Sequence, residues 1–432
     1  MAIKTWTTCR VCGSADLRPI LSLGNQPLSG VFPLPHESDP TRSPLDLVRC
    51  GDAACGLVQL RHTAELSEMY GSTYGYFSSI SPMMVDHLQR LAADLLRYAQ
   101  PAKGDIVLDI GCNDGTFLNS YGAHRGLVRV GMDPSAKKFA AHYDPDVRTV
   151  YDFFSAERAR ELIGDRDCKI VTSIAMFYDL DDPLRFIGDV RAILAHDGVW
   201  AAELSYLPLL LKQLTYDQIC HEHVTYLGLR EIDSMLRRHG LRLLDVSFND
   251  MNGGSFCFYA GHENGPHAPN EPKLRALLSN ELELASDAPF ERLRHRVLNH
   301  RDEVREFLSL ARSRGHSVCG YGASTKGNVV MNYCGLGPDS ISAIGDRNPE
   351  KDGRVTPGTR IPIISHAGLR DLKPDYLFSF IWHLRKEVIL DELDYIRHGG
   401  KVVFGLPRLH VVDASNYERF LTRSFEDLAF SI

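Results

Sequence analysis

The chain has 432 residues, enough for about two to three domains that each bury a core. Its 44% hydrophobic and 24% charged residues are those of an ordinary soluble protein, and a net charge of −7 provides no global positive field to attract nucleic acid. No apolar run approaches membrane-spanning length; Met1 leads through Ala2-Ile3-Lys4-Thr5-Trp6 to a cysteine pair and not to a signal peptide, so ten cysteines read as reduced thiols, some holding metal, in a cytoplasmic protein.

Cys9 and Cys12 form a C-x2-C pair, and Cys50 and Cys55 a C-x4-C pair. Thiolates at these spacings close a tetrahedral zinc site, and Gly13 and Gly56 behind each pair suit the tight turns. With four cysteine ligands the site is structural, and a module this small needs the staple; unliganded core thiols are the alternative. Leu23 to Ser29 and the Pro-rich run after it read as irregular chain. Tyr70, Tyr74 and Tyr76 then fall in a glycine-broken, hydroxyl-rich stretch that suits a sugar, or serves as a surface linker. The spacing of Val85, Leu88, Leu91, Leu95 and Leu96 predicts an amphipathic helix over 84–100.

Ile106-Val107-Leu108-Asp109-Ile110-Gly111-Cys112-Asn113-Asp114-Gly115 reads as a buried strand running into a glycine turn, with a helix opening at Thr116. The pattern is D-x-G-x-x-x-G, not the G-x-G-x-x-G of dinucleotide sites. An acid at Asp109 repels phosphate and suits a cationic ligand such as S-adenosylmethionine, with Gly111 and Gly115 letting the backbone approach it and Asn113 between them also expected at the ligand. Asp133, ending the strand 128–132, is placed to accept from ribose hydroxyls. Asp152 and Phe153, in a third strand over 147–154, flank an adenine. Strands are expected over 169–176 and 198–204, then an antiparallel pair on either side of Asn252-Gly253-Gly254. Tyr178, Glu203 and Tyr206 point to the crevice at the carboxyl ends of these strands.

Cys220-His221-Glu222-His223 lacks the H-E-x-x-H spacing of a zincin. A histidine beside a carboxylate suits proton transfer, because its pKa lies near working pH; a satisfied polar loop and a second metal site through His221 and His223 are the alternatives. Asn252 either hydrogen-bonds into the site or caps its turn. Residues 270–313 read as long connecting helices. A second α/β unit then begins: a strand over 317–321 runs into Tyr321-Gly322-Ala323-Ser324-Thr325-Lys326, whose hydroxyls and lysine at a helix start form a pyrophosphate cradle. Asp346 ends the next strand, and 374–380 and 401–405 continue the sheet. A Rossmann-like domain without ligand is the alternative.

The four-cysteine module, tyrosine stretch, D-x-G-x-x-x-G core, His-Glu-His stretch and Gly-Tyr-Gly-Ala-x-x-Lys turn, in that order, resemble the nucleotide-sugar C-methyltransferases, over nearly the whole chain. The resemblance implies an α/β protein of three parts: a zinc-binding module over 1–70, a class I methyltransferase domain binding S-adenosylmethionine over 71–265, and a helical connector with a Rossmann-like nucleotide-binding domain over 266–432. It implies a monomer acting on a 4-keto deoxysugar linked to dTDP or GDP, with no nucleic-acid or membrane partner. The family's substrate-contacting tyrosine falls on Tyr76, its Glu-His pair on Glu222 and His223, and its phosphate-side lysine turn on Ser324, Thr325 and Lys326, beside Tyr321 and Asp346. Cys220 stands where comparable members carry tyrosine, and Tyr178 and Asn252 where they carry histidine, which bears on the hydrogen-bond network and the sugar. In the chemistry so implied, His223 removes the hydrogen at C3, Glu222 orients it or stabilises the imidazolium that results, Tyr76 or Tyr178 stabilises the enolate oxygen, and the enolate carbon takes the methyl group. His221 is the alternative base. Methylation of oxygen or RNA, an oxidoreductase with two dinucleotide sites and a non-catalytic nucleotide-sugar binding protein are the competing readings.

Overall fold

The computed structural model describes residues 3–69, 77–122 and 126–422. The first part is built on β1 (Lys4–Thr5), β2 (Leu17–Pro27), β3 (Arg42–Cys50), β4 (Val58–Leu60) and β5 (His62–Thr63). β2 and β3 form a long antiparallel pair with two register shifts, which corrects the expectation of irregular chain over 23–29. Proline and glycine mask the alternation there. Leu21 and Leu23 turn into the core while Ser22 and Gly24 stay exposed, and the register shifts let the pair continue past Pro19 and Gly24.

The central sheet holds β6 (Ile106–Ile110), β7 (Val128–Met132), β8 (Arg148–Val150), β9 (Cys168–Ile174), β10 (Leu194–Ser205), β12 (Leu241–Asn249) and β13 (Ser255–His262), in the order β12-β13-β10-β9-β6-β7-β8. All pairings are parallel except those of β13 with β10 and β12. This is the arrangement of a class I methyltransferase sheet that the resemblance implies. β6 is buried along its whole length, as a strand covered on both faces must be. Helix Pro82–Ala99, capped by Ser81, covers one face through Leu88, Leu91 and Leu95. On the other, Trp200, Phe177, Phe186 and Phe258 meet at ring separations of 5.1–6.4 Å, mostly edge to face. The third strand is shorter than expected, ending at Val150.

The connector is two helices, Glu271–Asn280 and Ala288–Ser313, with a 3-10 turn between them. The last sheet holds β14 (Val318–Tyr321), β15 (Ile344–Asp346), β16 (Ile363–Ser365), β17 (Tyr376–Ser379), β18 (Lys401–Phe404) and β19 (His410–Val412), ordered β16-β15-β14-β17-β18-β19 with only β19 antiparallel. The order reverses between β14 and β17, the crevice where open α/β sheets take ligands. One strand crosses the expected division into parts: β11 (Thr225–Tyr226), directly after the His-Glu-His stretch, joins the N-terminal sheet against β4. No described helix is long and apolar enough to cross a membrane.

Candidate active site

Cys9, Cys12, Cys50 and Cys55 are brought together with all four Sγ atoms within 4.8 Å of one another. Cys9 and Cys55 lie 3.6 Å apart and Cys12 and Cys50 3.4 Å apart, as free thiols. Tetrahedral zinc with sulfur at ~2.3 Å sets its ligands ~3.8 Å apart, so the four thiols fit the ion with small adjustment.

The turn after β6 lines a cavity of about 230 Å³. Its wall carries Asp109, Gly111, Asn113 and Asp133, with apolar cover from Leu88, Met132, Met176 and Phe153. Asp109 is buried and its carboxyl accepts from Thr172 Oγ1 at 2.6 Å. Burial pushes its pKa up to about 7, with Asp133 adding to the rise. A carboxylate destabilised by desolvation in this way favours a cationic ligand over a phosphate. Asp133 is held by the Asn113 amide at 2.8 Å and by the Ser135 amide and hydroxyl at 2.6 and 2.7 Å, leaving lone-pair capacity on Oδ2 for a ribose hydroxyl. Asn113 Oδ1 accepts from the Ser78 amide at 3.0 Å, tying the segment that follows the tyrosine stretch to the turn.

Two expected cofactor residues lie elsewhere. Gly115 does not line the cavity; its φ of +80° starts the next helix, and an added Cβ would meet Tyr143 at 2.6 Å. Asp152 turns away to Arg158, 3.4 Å distant, and to the Phe153 amide, because the strand ends before it. Phe153 stays at the mouth, 52% exposed.

A second cavity of about 330 Å³ lies between the central and C-terminal domains. The central domain contributes Tyr178, Glu222, His223 and Asn252; the C-terminal domain contributes Tyr321, Ser324, Thr325, Lys326 and Asp346. Ala175, Asp179 and Asn252 line both cavities, so the two meet at the carboxyl ends of the central strands. Ser324 caps helix Thr325–Cys334 by accepting from the Gly327 amide at 2.9 Å. Asp346 accepts from the Ala323 and Asn348 amides at 2.7 and 2.8 Å, which fastens the glycine turn. Tyr76 and its neighbours Tyr70 and Tyr74 lie outside the described residues.

His221 and His223 part company. His221 is buried against the N-terminal module, with Nε2 3.1 Å from the Ser43 carbonyl and Nδ1 3.4 Å from Ser29 Oγ. His223 lines the second cavity, and its ring packs on Tyr178 at 4.2 Å. Burial, reinforced by Lys326, pulls the His223 pKa down to about 3, so its imidazole is neutral at working pH. The expected orientation by Glu222 is replaced: among the described residues no hydrogen bond joins the two, and the Gln218 backbone and the Tyr178 ring hold His223 instead. Glu222 Oε2 is buried without a hydrogen-bond partner, and burial raises the carboxyl's pKa. Glu203 reaches the first cavity, bonded to His87 at 2.9 Å and Asn249 at 2.8 Å. Tyr206 does not reach either one. Its hydroxyl donates to Glu281, whose carboxylate also takes the Leu229 and Arg230 amides.

Several lining residues were not anticipated. Gly30, in the loop after β2, sits so close to the His-Glu-His stretch that an added Cβ would be 2.5 Å from Glu222 Oε1. The carbonyl of Ser29 beside it accepts from Asn328 Nδ2 at 2.7 Å, so all three parts of the chain meet there. His383, Lys351 and Phe32 line the same cavity. His383 follows β17 at the reversal of the sheet, a position that the expected strand over 374–380 already marked. Gly30 carries no such signal, because its neighbours are distant in sequence.

Comparison with known proteins shows which family the sequence belongs to. Three family models match in sequence: "Putative zinc binding domain" over residues 9–70, "Methyltransferase domain" over 84–246 and "C-methyltransferase C-terminal domain" over 250–407. The C-methyltransferase NovU of Streptomyces niveus is 31% identical over 414 residues, covering 94% of this chain and 97% of the relative. The chain belongs to the C-methyltransferase family. A tRNA U34 carboxymethyltransferase of Campylobacter lari matches over only 28% of this chain and 44% of its own length, at 25% identity. Among solved structures, magnesium protoporphyrin IX methyltransferase from Synechocystis PCC 6803 superposes on 41% of this chain and 82% of its own, with a TM-score of 0.32 and 14% identity.

As a C-methyltransferase, the protein uses S-adenosylmethionine, and its N-terminal module is a zinc-binding domain. The electrophilic methyl is what S-adenosylmethionine supplies. The first cavity, with its acid wall and apolar cover, fits that cationic ligand, and the second places a neutral imidazole beside it.

Proposed function

We propose that the protein methylates carbon beside the ketone of a nucleotide-linked 4-keto deoxysugar, at C3, working as a monomer. The observation that carries this reading is the second cavity: a neutral imidazole and the carboxyl of Glu222 share it with a Rossmann turn and its helix start, and it meets the methyl-donor cavity at Ala175, Asp179 and Asn252. A sugar linked to a diphosphate asks for the same pair of features, proton-transfer groups for the ring and a helix start for the anion.

His223 takes the proton from the carbon next to the ketone. Burial and Lys326 keep it neutral before substrate binds, with a lone pair free to take the proton although its base strength lies below the working-pH range expected of a general base, and the Tyr178 ring packs against it. Glu222, buried and lacking a partner on Oε2, offers a hydrogen bond to a sugar hydroxyl. Ser324, Thr325 and the helix behind them receive the phosphate end, with Tyr321 and Asp346 beside the nucleoside. Closing the nucleotide in a separate domain holds the reacting carbon within ~3–3.5 Å of the methyl, the positioning that such transfers need.

Calorimetry with dTDP and with GDP, on enzyme already holding S-adenosylhomocysteine, tests the nucleotide end. One of the two binds at micromolar concentration or tighter. A 4-keto-6-deoxyhexose on that nucleotide, turned over with carbon-13-labelled methyl donor, then shows by NMR a new methyl group on C3. Binding of neither nucleotide, or a labelled methyl on oxygen, overturns the reading.

A further inference from the structure

Lys326 belongs by sequence to the phosphate-side turn, yet its side chain ends elsewhere. Nζ lies 3.3 Å from the backbone oxygen of Asn252 and 3.4 Å from its side-chain oxygen, and Asn252 is one of the residues that line both cavities. The ammonium therefore stands where the acceptor site meets the methyl-donor site. Asn252 has φ +55°, a left-handed turn conformation that asparagine adopts more readily than other residues with a Cβ. Gly253 beside it is pressed against Trp382, where an added Cβ would be 2.4 Å from the indole.

The charge of Lys326 is met by two neutral oxygens of Asn252 and, through space, by one carboxylate. Asp217, the carboxylate that acts on it most, is buried, accepts from Trp382 Nε1 at 2.7 Å and has no partner on its other oxygen. Burial lowers the lysine's pKa, with Asp217 and Cys220 opposing. Lys326 in turn helps to hold two imidazoles neutral, His223 and His383. His383 lines the same cavity, and its Nδ1 has no hydrogen-bond partner. A buried ammonium that shares its cavity with two neutral imidazoles, and whose carboxylate Asp217 also accepts from Trp382, is an environment for a negative charge that forms during reaction.

Another lysine occupies the place expected of Lys326. Lys351 Nζ is 2.6 Å from the Ala323 carbonyl, in the glycine turn itself, and 3.7 Å from Asp346. It lies 4.7 Å from the Phe32 ring, and all four residues line the cavity.

We propose that Lys326 is a catalytic residue whose ammonium faces the substrate carbonyl and neutralises the enolate oxygen, and that Lys351 is the lysine that meets the diphosphate. This assignment rests on the sugar-methylation reading of the cavity. As His223 removes the proton, the C–H electron pair becomes the C=C bond, and a carbonyl pair moves onto the oxygen facing Lys326. The pair on oxygen then re-forms the carbonyl, the C=C pair bonds the methyl, and the sulfur–methyl bond breaks to leave a neutral thioether. The proton on His223 passes to solvent. A fixed cation in a water-poor cavity stabilises the developing oxyanion more than water does, because it is already oriented.

The test uses full-length, zinc-loaded enzyme with the dTDP- or GDP-linked 4-keto-6-deoxyhexose as probe. In deuterium oxide with S-adenosylhomocysteine and no methyl donor, the wild-type enzyme exchanges the hydrogen beside the ketone, which NMR follows. Lys326→Met lowers both this exchange and kcat by about 100- to 1000-fold, while nucleotide affinity stays within about threefold. Lys351→Met shows the other pattern: nucleotide affinity falls about tenfold or more, and kcat at saturation falls far less than in Lys326→Met. Lys326→Arg, which keeps the charge, recovers part of the exchange. Retained S-adenosylhomocysteine binding certifies the fold, and Lys326→Gln replaces the methionine variant where that binding is lost. Normal exchange in a neutral Lys326 variant, or a loss confined to nucleotide affinity, overturns the assignment. A wild-type enzyme that binds neither nucleotide and exchanges no hydrogen overturns the reading beneath it, a different result from either.

Discussion

The two glycine turns of this protein have the same architecture and opposite chemistry. Each follows the first strand of a parallel sheet, β6 or β14, and each opens a helix at a reversal of strand order. At the first, the strand delivers Asp109 to the cavity wall, Asp133 stands opposite, and the helix that follows is five residues long. At the second, the strand delivers Tyr321 in place of an acid, Asp346 of the neighbouring strand is fastened by backbone amides as Asp133 is, Lys351 stands at the turn, and the helix runs for ten residues. A short helix behind an acid offers little to an anion, whereas a longer one with a lysine at its turn offers both a terminal dipole and charge. The fold supplies two places to bind, and on the proposed reading a few side chains decide which place takes the cationic methyl donor and which the anionic acceptor.

The largest effect is expected at the seam between them. His223→Asn removes the proposed base while touching neither turn, so kcat falls by about 100- to 10,000-fold. Calorimetry then finds S-adenosylhomocysteine and nucleotide bound as in the wild type. Loss of either affinity with the rate would mean that the seam and the turns cannot be separated in this way.

Gly30→Ala approaches the seam from the N-terminal module. The φ of Gly30 is not among the positive ones, so alanine is accepted by the backbone, but its Cβ would stand 2.5 Å from Glu222 Oε1 and 3.5 Å from Thr325 Oγ1. Displacing Glu222 lowers kcat by about 10- to 100-fold through misplacement alone, with S-adenosylhomocysteine affinity unchanged. An unaltered kcat would show that Glu222 moves aside freely and takes no part in the chemistry.

Asp109 gives the comparison a pH signature. Its ordinary pKa of 3.8 is raised by burial to about 7. Between these values the folded, empty protein carries a proton that the unfolded chain has lost, so this group's contribution to stability falls as pH rises from about 4 to about 7. A cationic ligand prefers the ionised carboxylate, and its binding below pH 7 therefore releases a proton. S-adenosylmethionine affinity then rises about tenfold from pH 6 to pH 8, and calorimetry in buffers of different protonation enthalpy reads the proton directly. Asp109→Asn flattens the profile. A profile that survives the substitution would move the titration to another group.

Much of this was legible in the residues. The buried run into Asp109-Ile110-Gly111 announces its strand because a parallel strand covered on both faces must be apolar throughout, and the four cysteines announce their cluster because thiols at those spacings have few other uses. The irregular look of 23–29 misled, since Pro27 and Gly24 sit in a strand that shifts register around them. The placements of the Glu222 carboxyl, Lys326 Nζ and Gly30 were not legible either. Each depends on contacts between segments far apart in sequence, 74 residues for Lys326 and Asn252 and more for Gly30 with Glu222 and Thr325, and local pattern contains nothing of that register.

The mouth of the first cavity offers the finest distinction. Asp152 and Phe153 are adjacent in sequence and were expected to flank the adenine together. In the structure Asp152 pairs with Arg158, whereas Phe153 lines the cavity with 52% of its surface exposed. An aromatic ring left open at a binding mouth gains cover when a planar base stacks on it, and such a pair contributes about 0.5–1.5 kcal/mol. Phe153→Ala therefore weakens S-adenosylhomocysteine binding by about 2- to 12-fold. Asp152→Asn changes it less than twofold, because an exposed ion pair contributes little and the carboxylate is outside the wall. Equal losses in both variants would mean that Asp152 leaves Arg158 for the ligand, and the adenine end of the first turn would then be shaped by charge as the second turn is.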